Sequence, residues 1–323
     1  MPIALPADLP ARPALAADGI KVLSEDELRR RGGRPLRICL VNLMPNKIVT
    51  ETQLCRLLGA TVQPVALTLC VPDSYRSKTT PESHVERFYR PWSRIRHEPF
   101  DGLIVTGAPI EHLPFAEVTY WRELCAIIDW AQAGIASSLY ICWAAQAALQ
   151  HFHAVPKHPL PAKLFGVFRQ RVAGTDSRFL HGFGAAFPVP VSRHTEVRAA
   201  DLPARAGLGV LAESPETGLC LIEDRANRAL YMFNHLEYDA ETLHLEFLRD
   251  RRVGKPIDPP ANYFPGDDPA RPAVNVWRPW ANLLFGNWLG EIARSAERDD
   301  AAVRSPGGGL RDTSWRGNTQ LCG

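Results

Sequence analysis

The sequence predicts an α/β fold in which a mostly parallel sheet carries helices on both faces. Short apolar runs, such as residues 36–43, alternate with longer segments whose apolar residues recur at helical spacing. The runs are almost continuously apolar, as expected for strands that are buried on both faces. Parallel strands need long crossover connections, and helical crossovers cover the faces of the sheet.

The predicted elements of the first half follow one another closely. They are a strand at 36–43, a helix at 47–58, a strand at 62–69, a polar segment that becomes helical at 74–89, a strand at 102–105, a helix around 121–131 and a strand at 138–141. Pro64 weakens the prediction of the second strand or places that strand at a sheet edge, because proline cannot donate a ladder hydrogen bond.

The second half continues the same alternation. Three short strands at 208–211, 219–222 and 229–233 precede a helix through Arg249, for which Asp239 is the expected N-cap. A loop at 253–275 and a closing helix at 277–292 complete the pattern. We divide the chain into an N-terminal arm at 1–34, irregular apart from one short helix at 25–31, one domain at 35–297, and a disordered tail at 298–323.

Composition excludes several classes of protein. The formal net charge is +2 and the arginines form no stripe, so we expect no nucleic-acid partner. Seven widely spaced cysteines without a C-x-x-C pair argue against a disulfide scaffold and a metal site. The N-terminus does not resemble a signal peptide, and no apolar stretch is long enough for a bilayer. We therefore expect a cytoplasmic protein without a membrane partner.

Cys142 is the strongest candidate for a functional residue. It lies between the apolar run 138–141 and a run of small residues with high helix propensity. Such a position puts the thiol on a tight turn that faces the first helical N–H groups. Those donors favour a thiolate and can hold a developing oxyanion. The alternative is one more buried, inert cysteine.

His235 and Glu237 supply the rest of a nucleophilic site. His235 follows a predicted strand, and residues two apart in an extended segment point the same way, so Glu237 can orient the imidazole. In a parallel sheet the carboxyl ends of strands share one crevice. Residues 44–47 and 106–109 also end strands, so we expect them near Cys142.

Four motifs together resemble the homoserine O-acyltransferases of the MetA type. They are Asn42-Leu43-Met44-Pro45, Thr106-Gly107-Ala108-Pro109, Cys142-Trp143-Ala144-Ala145-Gln146-Ala147-Ala148 and His235-x-Glu237-Tyr238-Asp239. The resemblance implies a class I glutamine-amidotransferase-like (flavodoxin-like) fold, with 35–297 as the acyltransferase domain. It also implies transfer of an acyl group from an acyl-CoA to L-homoserine in methionine biosynthesis, with no bound cofactor.

The resemblance also assigns roles. It makes Cys142 the acyl-thioester nucleophile, His235 the base and Glu237 its orienting partner. By the same likeness, the substrate-binding residues are Lys163, Ser192 and Arg249. Lys47 lies near the end of the first strand, so we expect it to line the pocket as well. Glu111 is the residue that sets acyl-CoA specificity. A glutamate there matches acetyl-transferring members and would repel a succinyl carboxylate, so acetyl-CoA is the expected donor.

Several alternatives stay open at this point. Succinyl-CoA is the second donor, and L-serine is the second acceptor because it differs from homoserine by one methylene. Leu236 stands where the family commonly has proline, which bears on the acceptor. The other functions that stay open are those of a glutaminase or cysteine peptidase and of a non-catalytic binding protein. A homodimer stays open as the assembly of the chain. Otherwise we expect small molecules as the partners.

Overall fold

One twelve-stranded sheet organises the residues that the computed structural model describes, namely 2–31, 34–77, 79–174, 176–204 and 206–304, with side chains through 298. The elements in chain order are β1 (Ile3–Ala4), α1 (Ala11–Ala17), β2 (Val22–Leu23), α2 (Glu25–Arg30), β3 (Leu36–Val41), α3 (Lys47–Gly59), β4 (Val65–Val71), α4 (Glu82–Phe88), β5 (Tyr89–Pro91), α5 (Trp92–Ile95), β6 (Gly102–Val105), α6 (Trp121–Gly134), β7 (Ser137–Ile141), α7 (Trp143–His153), β8 (His158–Val172), β9 (Ala186–Glu196), β10 (Leu208–Ser214), β11 (Gly218–Asp224), β12 (Ala229–Met232), α8 (Thr242–Arg252) and α9 (Arg278–Arg304).

The sheet has two halves that differ in strand direction. Its order is β2-β1-β4-β3-β6-β7-β12-β11-β10-β8-β9, with β5 paired to β4. Neighbours from β2 to β12 run parallel, and we call these strands the parallel half. From β12 onward each neighbour is antiparallel, and β11, β10, β8 and β9 form the antiparallel half.

Helices cover both faces of the parallel half, as predicted. Alternate residues of β3 point to opposite faces, so Ile38 packs with α3 and α9 in one apolar cluster. Its neighbour Cys39 packs with α6 and α7 in the other cluster. Ile38 and Cys39 are both buried, and so is every residue of β6 and β7. This burial on both faces explains the continuously apolar runs.

The N-terminal segment differs from its prediction as an irregular arm with one helix. In addition to the helix α2, which begins at the expected place, it contains α1 and two short strands. β1 pairs with β4 and β2 pairs with β1, so these residues extend the parallel half. Ile3 and Leu15 are fully buried, and this burial holds the segment against the sheet.

The structure differs from the local expectations at three places. Pro64 precedes β4, and that strand lies between β1 and β3 rather than at an edge. The N-cap of α8 is Glu241, whereas the Asp239 carboxylate pairs with Arg56 and Arg278. Helix α9 runs to residue 304, through the first residues of the predicted tail, and 305–323 lie outside the described residues.

The β8–β9 hairpin is an element that the apolar pattern did not indicate. β8 spans fifteen residues, but only five of them are buried. Its ladder with β9 shifts between Pro159 and Leu164, where β8 bulges. No helix of the described chain has both the length and the apolar character needed to cross a membrane.

Candidate active site

Cys142 occupies a strained turn between β7 and α7. Its backbone has φ 53° and ψ −116°, a conformation that costs free energy for a residue with a side chain. The Cys142 N–H donates to the Met232 carbonyl at 2.7 Å, and the Ala145 N–H donates to the Cys142 carbonyl at 3.0 Å. A Cβ on Gly107 would lie 3.1 Å from the Cys142 Cβ, so glycine permits this close approach.

His235 lies beside the thiol, and Glu237 pairs with the imidazole. The Glu237 Oε1 is 2.6 Å from the His235 Nδ1, which leaves Nε2 for the nucleophile. Tyr238 stacks on the imidazole with 4.2 Å between ring centroids. The His235 N–H donates to the Pro190 carbonyl at 2.9 Å, which fixes the backbone of the base against β9.

The surroundings of His235 favour its charged form. Burial alone would lower the pKa of His235, but Glu237 and Cys142 outweigh burial and hold it well above its usual value. His235 can therefore present a positively charged imidazole to the sulfur. A positive charge beside the sulfur is the environment that activates a cysteine nucleophile.

Glu111 reaches the nucleophile from the loop after β6. Its Oε1 lies 3.9 Å from the Cys142 Sγ, and its Oε2 accepts from the His194 N–H at 3.2 Å. The side chain is buried, and burial raises the pKa of Glu111. Lys157 donates to the Glu111 carbonyl and, at 2.6 Å, to the Leu113 carbonyl, so the loop is held in place.

Lys163, Ser192 and Arg249 come together around a carboxylate that the sequence did not reveal. Glu246 Oε1 accepts from the Lys163 Nζ at 2.7 Å and from the Ser192 Oγ at 2.9 Å, and Arg249 lies at 3.4 Å. Asp250 binds Lys163 at 3.1 Å and Arg249 at 2.9 Å. Burial raises the pKa of Asp250, but these two cations outweigh burial and lower it.

These side chains line one cavity of about 390 Å³ that opens to solvent. Cys142, His235 and Glu111 lie on one side, and Lys163, Ser192, Glu246 and Arg249 also line it. Residues 44–46 and 107–109 line it too, so the strand ends converge as predicted. Glu246 and Asp250 were missed because carboxylates on a polar helix resemble an ordinary solvated face.

Lys47 does not line the cavity, contrary to its prediction. Its side chain is fully buried at the start of α3, where Nζ donates to the Asn42 carbonyl and lies 4.2 Å from the Tyr75 ring centroid. Burial lowers the pKa of Lys47 to about 7, although Glu51 opposes this effect. Lys47 therefore stabilises the loop after β3 through its hydrogen bond to Asn42, and its side chain does not form part of the cavity wall.

Three clustered histidines are each accounted for by a different carboxylate. His151 lies 2.6 Å from Asp129, His153 lies 2.6 Å from Asp224, and His158 lies 2.7 Å from Asp201. Within the part of the chain that the structure describes, no three His, Cys, Asp or Glu side chains are grouped to hold a metal ion.

The architecture is that of the class I glutamine amidotransferase-like proteins. A glutamine amidotransferase of Thermotoga maritima matches with a TM-score of 0.52 and 12% identity, over 81% of this chain and 98% of that one. A glutamine amidotransferase of Methylobacillus flagellatus matches with a TM-score of 0.51 and 13% identity, over 80% of this chain and 96% of that one. These likenesses define the fold.

The chain belongs to the homoserine O-succinyltransferase family, whose model matches residues 2–297. A homoserine O-acetyltransferase of Rhizorhabdus wittichii is 55% identical over 96% of this chain and 95% of that protein. Homoserine O-acetyltransferases of Cereibacter sphaeroides (51% identical, covering 94% and 99%) and Brucella canis (52%, covering 93% and 98%) are also similar. The family resemblance of the sequence motifs is thereby confirmed.

Proposed function

We propose that this protein is a homoserine O-acetyltransferase that transfers an acetyl group from acetyl-CoA to the hydroxyl of L-homoserine. The proposal combines membership of the family with Cys142 and His235, which line one cavity, and with Glu237, which is paired with His235. Relatives with 51–55% identity over nearly the whole chain carry the same activity in their names. The product feeds methionine biosynthesis.

The reaction proceeds through a thioester on Cys142. In the first half, the thiolate attacks the acetyl carbonyl of acetyl-CoA, the carbon–sulfur bond to CoA breaks, and the CoA thiolate takes the proton of His235. In the second half-reaction, His235 accepts the proton of the homoserine hydroxyl while the hydroxyl oxygen attacks the carbonyl of the acetyl-cysteine. The O-acetyl ester forms and the Cys142 thiolate is released.

The cluster around Glu246 suits the amino-acid end of the acceptor. Arg249 can bind a carboxylate with two parallel hydrogen bonds, while Glu246 can accept from an α-ammonium group. Lys163 and Ser192 bind Glu246 directly, which holds its carboxylate in place. Because Cys142 lines the same cavity, an acceptor held at this cluster can extend its hydroxyl toward the thiol.

The position of Glu111 is the observation that carries the choice of donor. A buried carboxylate 3.9 Å from the Sγ lies where the chain beyond an acyl carbonyl must lie. An acetyl group ends there, whereas a succinyl group would place a second carboxylate against Glu111. Two like charges in a partly desolvated site repel each other by about 1–4 kcal/mol.

A donor competition on wild type and Glu111→Gly tests this assignment. Wild type should prefer acetyl-CoA, and Glu111→Gly should gain use of succinyl-CoA because both the charge and the side-chain volume are lost. Glu111→Gln is the matched control, since it removes the charge and keeps the volume. A wild-type enzyme that prefers succinyl-CoA would contradict the proposal whatever the variants do.

The acceptor is decided by a parallel measurement on L-homoserine and L-serine. One methylene changes binding in a pocket by about 1–3 kcal/mol, so the ratio of kcat/KM values should favour homoserine by roughly tenfold or more. A higher kcat/KM for serine would show that serine is the acceptor, and the proposed thioester chemistry would not change.

A further inference from the structure

Arg193 is a buried cation without a carboxylate partner. It lies on β9 between two residues that line the cavity, Ser192 and His194, and its side chain is 2% exposed. Among the described residues, no carboxylate oxygen comes within the 4.0 Å of an ion pair with its guanidinium. Burying a charge without a counter-charge is strongly unfavourable, so its presence calls for an explanation.

Arg193 is hydrogen-bonded to the loop that carries His235. Its Nη1 donates to the Asn234 Oδ1 at 2.7 Å, and its Nη2 donates to the Thr217 carbonyl. Asn234 is fully buried and directly precedes His235. Both acceptors are neutral, so they orient the guanidinium and do not cancel its charge.

The positive charge of Arg193 offsets the negative charges that surround Cys142. Glu111 approaches the Sγ from the β6 loop, and Glu237 stands behind His235, so two carboxylates and one imidazolium surround the thiolate. Cys220, which acts on Arg193, and the Tyr238 phenol, on which Cys142 acts, are further buried titratable groups around this site. A second cation is needed to keep negative charge on sulfur from being strongly disfavoured.

Arg193 interacts with this negative charge. Burial lowers the pKa of Arg193, and the strongest opposing influence is the charge of Cys142, ahead of Cys220, Glu196 and Glu111. The interaction is reciprocal, because a charge that stabilises the guanidinium is itself stabilised by it. We propose that Arg193 is a positioning residue that holds Asn234, and through it His235, while its charge stabilises the Cys142 thiolate.

This inference rests on the proposed role of Cys142 as nucleophile, but its test does not depend on acyl transfer. The rate of Cys142 alkylation by iodoacetamide is measured against pH by mass analysis of the peptide that contains Cys142, because only the thiolate reacts. In Arg193→Met the midpoint of the profile should rise by about one pH unit, with about tenfold slower alkylation at neutral pH. Arg193→Lys, which keeps the charge, should restore most of the wild-type profile.

Two further variants keep the test decisive. Arg171→Met removes an exposed guanidinium from the neighbouring strand β8 and should leave the profile unchanged. Asn234→Asp keeps Arg193 and gives it a carboxylate partner, so it should raise the midpoint even if Arg193→Met does not fold. The proposal is overturned if a folded Arg193→Met, or Asn234→Asp, titrates like wild type. If acetyl transfer fails in wild type while these shifts occur, the proposed function alone is wrong.

Discussion

The parallel and antiparallel halves of the sheet carry different parts of the site. The parallel half supplies the reacting groups from its strand ends, with Cys142 after β7 and His235 after β12. The antiparallel half supplies Lys163 and Ser192, which contact Glu246 of α8. The covalent chemistry therefore depends on buried strands that share one edge, while recognition of the acceptor depends on a hairpin that packs beside them.

The largest expected effect comes from the parallel half. Cys142→Ala should lower acetyl transfer by roughly 10⁴-fold or more, because no other group can form the thioester. The fold should persist, since the alanine fills the same place without the thiol. Steady-state rates and circular dichroism check both statements, and turnover close to that of wild type would rule out the covalent mechanism.

The catalytic pair should show a graded loss. His235→Ala removes the base and should cost about 10²–10⁴-fold, whereas Glu237→Gln keeps the length of the side chain and should cost less. Because Glu237 raises the pKa of His235, the imidazolium of Glu237→Gln should lose its proton at lower pH, which moves the basic limb of the pH profile for Cys142 acylation to lower pH. An unchanged Glu237→Gln enzyme at every pH would contradict the orienting role.

The recognition side should fail in a different step. Arg249→Gln should raise the KM for homoserine by about ten- to hundredfold, because a bidentate hydrogen bond to the carboxylate is lost. Acetylation of Cys142 by acetyl-CoA alone, followed by intact mass, should keep its wild-type rate. Arg251→Gln, on the exposed face of the same helix, is the matched control. If Arg249→Gln slowed Cys142 acetylation as much as transfer to homoserine, acceptor recognition and the covalent step would not be separate.

The smallest expected effect is a dependence of donor choice on pH. Burial raises the pKa of Glu111, so its carboxyl becomes neutral at higher pH than an ordinary glutamate. As pH falls through that pKa, repulsion of a succinyl carboxylate disappears and the preference for acetyl-CoA should weaken several-fold. The preference of Glu111→Gln should show no such step, and a wild-type ratio that is constant with pH would argue against charge as the cause.

The two halves also differ in how far sequence reasoning reached them. Strands of the parallel half are buried on both faces, so their apolar runs marked β3, β6 and β7 closely. The hairpin β8–β9 has exposed residues, prolines and a bulge, which dilute any period-two pattern. The first strands were also missed, because β1 and β2 have only two residues each.

The same contrast holds within the site. Cys142 was predictable because a strand, a nucleophile and a helix are adjacent in sequence. Arg193 and Glu246 were not, because their partners lie far along the chain, Asn234 and Thr217 for the first and Lys163 and Ser192 for the second. Only tertiary contacts distinguish a buried arginine from a surface one. Lys47 shows the converse error, since nearness in sequence to a strand end did not put it in the cavity wall.

The outer edge of β9 has a consequence for how the protein behaves in a crowded solution. The last strand of an open sheet offers unpaired backbone groups to other chains and invites aggregation by strand addition. Pro188 and Pro190 remove two backbone donors from β9, and the Pro190 carbonyl is already occupied by the His235 N–H. The contact that fixes the catalytic base therefore also closes part of an edge at which molecules could associate. Loosening the His235 loop would expose that edge, so loss of activity and loss of solubility should tend to appear together.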